Sequence, residues 1–196
     1  MNGQPPPPRP GRKRSEESRL AILTAAFELT AEVSYAGVGI EAIAARSGTG
    51  KQTIYRWWPS KADVLLDALA TKADLYVAVD RDTGSYAGDL REFLTATFAL
   101  GRNATVVAAL RALMAQAQLD SEFGQRFRTG FLQRRRDALA VLVDRARARG
   151  DLPSGPSDAT VADLVFGVVW YRLLATDRDV DDPLVDELVA TLTQTY

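Results

Sequence analysis

The chain of 196 residues contains neither cysteine nor histidine. The first absence excludes disulfides and thiolate metal sites. The second removes the commonest general base, the commonest metal ligand and any imidazole switch near neutral pH. Both count against an enzyme, and neither a metal nor a cofactor is expected. Long apolar runs are also missing: none approaches the roughly 20 residues of a membrane span, so no membrane partner is expected. The opening M-N-G-Q-P-P-P-P-R-P-G-R-K-R has basic residues without the apolar core of a secretory signal, which predicts a cytoplasmic protein. Alternating strand patterns are absent, and every periodic segment reads as helix.

What is present is unevenly charged. The net charge is −1, yet residues 1–61 hold nine Lys or Arg against five Glu, leaving 15 basic and 20 acidic residues to the remainder. A basic head on an acidic body is expected when one module faces phosphates and the other does not.

The head is organised around G-I-E-A-I-A-A-R-S-G-T-G-K-Q-T-I-Y-R-W-W-P-S-K, from Gly39 to Lys61. Ile40, Ile43 and Ala44 share one face of a short helix, Gly48 and Gly50 break it, and Ile54 with Trp58 gives a second short helix its inward face. Gly48 can take positive φ at little steric cost, so the chain reverses tightly into a helix-turn-helix. Pro59 disfavours helical geometry at Trp58 and stops the second helix. Ser60 then N-caps a third, with Asp63 at the capping-box position. Outward on the second helix stand Lys51, Gln52, Thr53, Tyr55, Arg56 and Trp57, groups suited to base edges and phosphates in a major groove. G-T-G-K-Q-T is not a phosphate-binding P-loop: Ala45 stands where a glycine is needed, and Gln52 where Ser or Thr is needed.

The run A-I-A-A-R-S-G-T-G-K-Q-T-I-Y-R-W-W-P-S-K resembles the DNA-binding signature of the TetR family of transcriptional regulators, and the likeness extends from Arg19 to about Leu69. The resemblance implies an all-α protein: an N-terminal three-helix helix-turn-helix DNA-binding module followed by a larger helical ligand-binding and dimerisation module. It also implies that Lys51, Gln52, Thr53 and Trp57 face bases or the groove wall, and that Tyr55, Arg56 and Lys61 grip phosphates. The partners it implies are a palindromic DNA operator, a second copy of the chain and a small-molecule effector. Gly39 and Gly50 depart from the family's usual capping Ser or Thr, so any anion contact there relies on backbone N–H groups.

Residues 1–14 read as a disordered basic arm. Arg12, Lys13 and Arg14 either enter a minor groove or belong to a solvated tail. Residues 15–80 form the DNA-binding domain with its connecting helix. Ser15 to about Val33 has Leu20, Leu23, Phe27 and Thr30 inward, and the connecting helix starts after Ser60. Turn formers in D-R-D-T-G-S-Y-A-G mark the module boundary, and 81–196 form the C-terminal domain. Its helices span Asp89 to about Gly101, Asn103–Leu119 and Ser121–Arg149, the last with many arginines that read as a solvated face.

Ser157–Leu174 has almost no polar side, and the terminal helix has a broad apolar face. Val161, Val165, Val168, Leu184, Leu188 and Leu192 are therefore expected at a four-helix dimer interface. D-R-D-V-D-D at 177–182 fails the calcium-loop pattern and reads as Asp182 capping a helix with Pro183 at its first position. Phe93, Phe98, Met114, Phe127, Phe131, Trp170 and Tyr171 either line an effector cavity or pack the core. With only Arg111 and Arg172 as inward ionisable candidates, the effector is expected to be apolar or aromatic. The competing function class is a helical enzyme or ligand carrier that retains a helix-turn-helix; no paired-carboxylate spacing supports it.

Overall fold

The computed structural model describes residues 10–76, 81–176 and 178–194, without the side chains of 10–14 and 74–76. Among the described residues all regular structure is helical. They form two compact units, Met1–Ala68 and Leu69–Tyr196. The division falls inside one continuous helix, α4 (Lys61–Tyr76).

The first unit contains α1 (Pro10–Gly37), α2 (Ile40–Ser47), α3 (Lys51–Trp57) and the start of α4 (Lys61–Tyr76). The expected start of α1 at Ser15 moves back to Pro10, because proline is tolerated in a first turn where its missing N–H has no partner to lose. Residues 10–14 are thus helical rather than part of a disordered arm, and 1–9 lie outside the described residues. Leu20, expected inward, is 45% exposed; Ile22, Leu23, Ala26, Leu29 and Thr30 carry the buried stripe instead. They follow the i, i+1, i+4, i+7, i+8 spacing of one helix face, which Leu20 flanks. Thr30 is buried because its hydroxyl donates to the Ala26 carbonyl at 2.8 Å.

Ser34 breaks α1 at φ 60° and ψ 168°, a region that side chains disfavour. Ser34→Gly is expected to relieve this strain, offset in part by the greater freedom glycine has when unfolded. A net gain of about 1 kcal/mol, read as a melting temperature a few degrees higher, is the expected result. An unchanged or lower melting temperature would show that serine sits there without strain.

In the second unit, α5 (Tyr86–Gly101) starts earlier than the expected Asp89 because Ser85 caps it, accepting the Gly88 N–H. Asn103 caps α6 (Ala104–Leu119), and Asp120 caps α7 (Ser121–Phe127). α7 passes through a π-helical segment (Arg128–Leu132) into α8 (Gln133–Arg149), which ends at Gly150 in the left-handed region. α9 (Asp158–Trp170) likewise continues into a π segment (Tyr171–Thr176). Asp181, not Asp182, caps α10 (Asp182–Thr193): its extended backbone aims the carboxylate at the Leu184 N–H, 3.2 Å away.

The core of this unit joins Leu90, Leu94 and Phe98 of α5, Leu139, Leu142 and Val143 of α8, Val161 and Val165 of α9, and Leu184, Leu188 and Leu192 of α10. Most of the residues expected at a dimer interface lie inside the unit. Val161, Val165, Leu184, Leu188 and Leu192 are buried within their own chain, because α9 and α10 supply the interior that α5 and α8 alone lack; Val168 is partly buried beside them. Among the described residues of this unit, the large outward apolar groups are Leu119 of α6, Val141 of α8, and Leu164, Tyr171 and Leu174 of α9 and its continuation. One expectation about apolar runs also changes. Asp158–Thr176 spans 19 residues with a hydropathy of 1.4, enough by length and composition to cross a membrane, because its few charges do not outweigh the valines and leucines.

Candidate nucleic-acid interface and ligand cavity

The turn between α2 and α3 rests on its glycines, with the Ser47 hydroxyl 2.8 Å from that of Thr49. Gly39 and Gly50 cap the two helices in extended conformations without side-chain bonds, and Gly48 takes φ 66° with its N–H directed to the Ala44 and Ala45 carbonyls. Any Cβ at Gly48 would meet open space but would be strained by that φ. Inside, Ile54 is fully buried with Ile40, Ile43 and Ala44. Trp58 is buried at the end of α3, and its ring N–H donates to Asp67, which also accepts from Arg19 at 2.7 Å. One carboxylate thereby ties α1, the end of α3 and α4. Ser60 and Asp63 form the expected cap: the Asp63 N–H reaches the serine oxygen at 3.3 Å, and that hydroxyl donates to the Asp63 carboxylate at 2.7 Å.

On the outer side of α3, Lys51, Gln52, Tyr55 and Arg56 are exposed and Thr53 is half-buried. Trp57 is less free than expected: it packs against the core and meets Trp58 edge-on at 5.4 Å, with the Arg56 guanidinium 5.5 Å from its ring. Lys61 is also differently occupied. Its ammonium donates to the carbonyls of Tyr35 and Val38, each at 3.0 Å, and lies 4.5 Å from the Tyr35 ring centre. The side chains of Arg12, Lys13 and Arg14 lie outside the described residues.

Lys51 donates to Glu41 at 3.0 Å, and the lysine holds that carboxyl below its usual range while its own ammonium is pushed up. Glu41→Gln should release Lys51 and remove a negative charge beside the exposed face. DNA affinity is then expected to rise several-fold at low salt, with a salt dependence steeper by about one phosphate contact. Filter-binding titrations over a range of potassium chloride check this; an unchanged slope would mean that Lys51 never reaches a phosphate.

In the second unit, Leu100, Leu110, Phe131, Phe166, Trp170 and Leu173 line a largely apolar cavity of about 320 Å³, with Thr97, Arg135, Arg136 and Asp163 among its polar groups. Of the aromatics expected to line a cavity, Phe131 and Trp170 do so. Phe127 stacks on Phe131 at 5.7 Å and meets Trp170 at 6.4 Å, forming a layer behind the wall. Phe93 packs edge-on against Phe166, while Phe98 is fully buried core. Met114 does not line the cavity, and Tyr171 is 62% exposed because it falls on the outward side of its helix. Arg111 instead lines a second, more polar cavity and donates to the Leu173 carbonyl at 2.7 Å; Arg172 donates to the Asp179 carbonyl.

Sequence reasoning missed Arg135, whose position one turn after Phe131 places it on the same helix face. It also missed the two π segments, which carry Phe131, Leu132 and Leu173 in the cavity wall. Such turns recur at functional sites because they shift side chains off the regular helical register.

A short polar helix after a tight glycine turn, with a largely apolar cavity in a separate helical unit, is the arrangement of a DNA-binding transcriptional regulator. Comparisons with known proteins agree. Residues 22–68 match the family described as bacterial regulatory proteins, tetR family, and residues 80–192 match the tetracyclin repressor-like C-terminal domain. The uncharacterized HTH-type transcriptional regulator YdeS of Bacillus subtilis is 35% identical over 181 residues, covering 91% of this chain and 89% of that protein. The regulator Mb1581 of Mycobacterium bovis is 26% identical over 191 residues, covering 95% and 91%. Among solved structures, the regulator FadR from Bacillus subtilis in complex with stearoyl-CoA has a TM-score of 0.69 at 17% identity, covering 90% of this chain and 98% of that one. A regulator from Saccharomonospora viridis in complex with choline has a TM-score of 0.61 at 22% identity, covering 90% and 94%. The last two likenesses establish a shared fold. The chain belongs to the TetR family of transcriptional regulators.

Proposed function

We propose that this protein is a cytoplasmic repressor, not an enzyme, which binds a palindromic operator as a homodimer and leaves it when a small molecule fills the cavity of the second unit. The observation that carries this reading is that one chain holds both an exposed polar helix and a largely apolar cavity, with α4 running unbroken from Lys61 to Tyr76. Gln52 and Thr53 read base edges; Tyr55, Arg56 and a released Lys51 meet phosphates. Trp57, being half-buried, supplies groove wall only, and Arg12, Lys13 and Arg14 follow the adjacent minor groove.

Two chains pair through the outward groups Leu164, Tyr171 and Leu174 with the partly buried Val168 at their edge; spacings of four, three and three residues place the four on one side of a helix. This pairing also explains why so apolar a segment leaves these groups exposed: they are covered in the dimer, not by lipid. A two-fold pair matches two half-sites of a palindrome. That relatives of this fold occur with stearoyl-CoA and with choline supports a ligand-holding second unit.

Selection of bound fragments from random DNA, with light scattering on the same preparation, tests the reading. A dimer enriching an inverted repeat is the expected result. Leu164→Arg combined with Leu174→Arg should give a folded monomer with weak, non-specific DNA binding. A dimer that enriches no sequence would overturn the reading.

A further inference from the structure

We infer that the apolar cavity takes a compact molecule that carries no ionised group, and that Gly167 leaves the room for it. The inference rests on the proposed role of this cavity as the effector site and specifies the chemistry of its ligand. Leu100, Leu110, Phe131, Phe166, Trp170 and Leu173 give the wall its hydrocarbon character, so apolar area removed from water drives binding. At about 30 Å³ per water-sized group, 320 Å³ admits roughly ten non-hydrogen atoms. Gly167 lies on the exposed side of the wall, one turn after Asp163, and a Cβ there would meet nothing within 4 Å. The other glycine of the wall, Gly101, differs: a Cβ there would stand 2.5 Å from Val180, so its space is already taken by the protein. A side chain added at Gly167 therefore occupies ligand space, and it suits a helix better than glycine.

The neutral character follows from the polar part of the wall. Two guanidinium groups and one carboxylate line it, an inventory that would suit a charged ligand if any of the three stood unengaged. Each is engaged within the protein. Arg136 donates to Asp163 at 2.7 Å and to the Ala159 carbonyl at 3.3 Å, which ties α8 to α9. Arg135 donates to the hydroxyl of the buried Thr97 at 2.8 Å, and its guanidinium lies 5.9 Å from the centre of the Phe93 ring, so it is held towards α5. An anionic ligand reaches Arg136 only by displacing Asp163, which exchanges one carboxylate for another. A cationic ligand reaches Asp163 only by displacing Arg136. An ion that does neither leaves water without gaining a partner, which is unfavourable. A neutral molecule keeps every pair of the wall intact and meets no such cost.

The probes are 3-phenylpropan-1-ol, 3-phenylpropanoate and 3-phenylpropylammonium, which share one hydrocarbon body and differ in charge. Calorimetric titration of the full chain at neutral pH should show the alcohol binding at least tenfold tighter than either ion. Gly167→Leu should weaken the alcohol at least tenfold without lowering the melting temperature. The wild-type comparison needs no variant, so it stands even where Gly167→Leu fails to fold. An ion that binds as tightly as the alcohol, and is weakened alike by Gly167→Leu, overturns the neutral assignment while leaving the cavity as a ligand site. An alcohol affinity that survives Gly167→Leu in a folded protein overturns the role given to Gly167. Binding of none of the three overturns the inference and counts against the cavity as the effector site.

Discussion

Replacing Asp89 with alanine should lower stability by about 3 kcal/mol, the largest single effect expected outside the hydrophobic core. Its side chain is fully buried in the first turn of α5 and accepts from the Thr83 N–H and hydroxyl, each at 2.8 Å, and from Arg149 at 3.0 Å; Arg145 stands at 3.8 Å. Burial pushes this carboxyl up, but the Thr83 bonds and the Arg149 guanidinium outweigh it, so its pKa lies below the usual value. A depressed folded pKa stabilises the protein fully above the unfolded value near 3.9 and progressively less as pH falls through the folded value. Alanine removes all of these contacts and leaves two arginines beside a void. The loss stays near the lower end of the range for broken buried pairs because both arginines retain Asp82 and Arg149 also retains Asp151. Asp89→Asn keeps a Thr83 contact and loses the charge. Its denaturation midpoint should therefore vary less between pH 5 and 2 than that of the wild type. Urea titrations across that range decide the matter, and identical pH profiles for Asp89→Asn and wild type would refute the ionised pair.

Lys61→Ala should destabilise the first unit by about 2 kcal/mol, less than the full value of two charge-assisted hydrogen bonds because the ammonium is partly solvated. The two carbonyls it holds, Tyr35 in the last turn of α1 and Val38 in the connection to α2, follow the strained Ser34. Losing the lysine loosens the entry to α2 and with it the position of α3. DNA binding is then expected to weaken across all sequences, with the salt slope changed by less than one phosphate contact, since the charge already serves the fold. Gln52→Ala contrasts with it. No loss of stability is expected, and discrimination at one or two base pairs should fall by about 1 to 3 kcal/mol. Thermal melts and operator titrations of both variants separate the cases. A Lys61→Ala protein of unchanged stability whose salt slope drops by a full contact would return this residue to the phosphate grip expected from the sequence.

The sequence by itself determined the local geometry of the DNA-reading head. Gly48, Pro59, the Ser60 cap and the inward Ile40, Ile43 and Ile54 act within one or two turns of chain, where spacing and backbone preference suffice. It also determined the all-helical character of the remainder, through apolar periodicity. Three-dimensional packing alone decided which side of each helix is spent internally. Leu184, Leu188 and Leu192 are as apolar as a dimer face requires, yet α5 and α8 bury them within the chain and leave Leu164, Tyr171 and Leu174 outward. The same holds for charge: Lys61 and Arg135 are distinguished by the Tyr35 carbonyl and the Thr97 hydroxyl, residues distant in the chain. Hydrophobicity and charge are properties of a residue, but the partner that uses them is chosen by long-range contacts that no local pattern encodes.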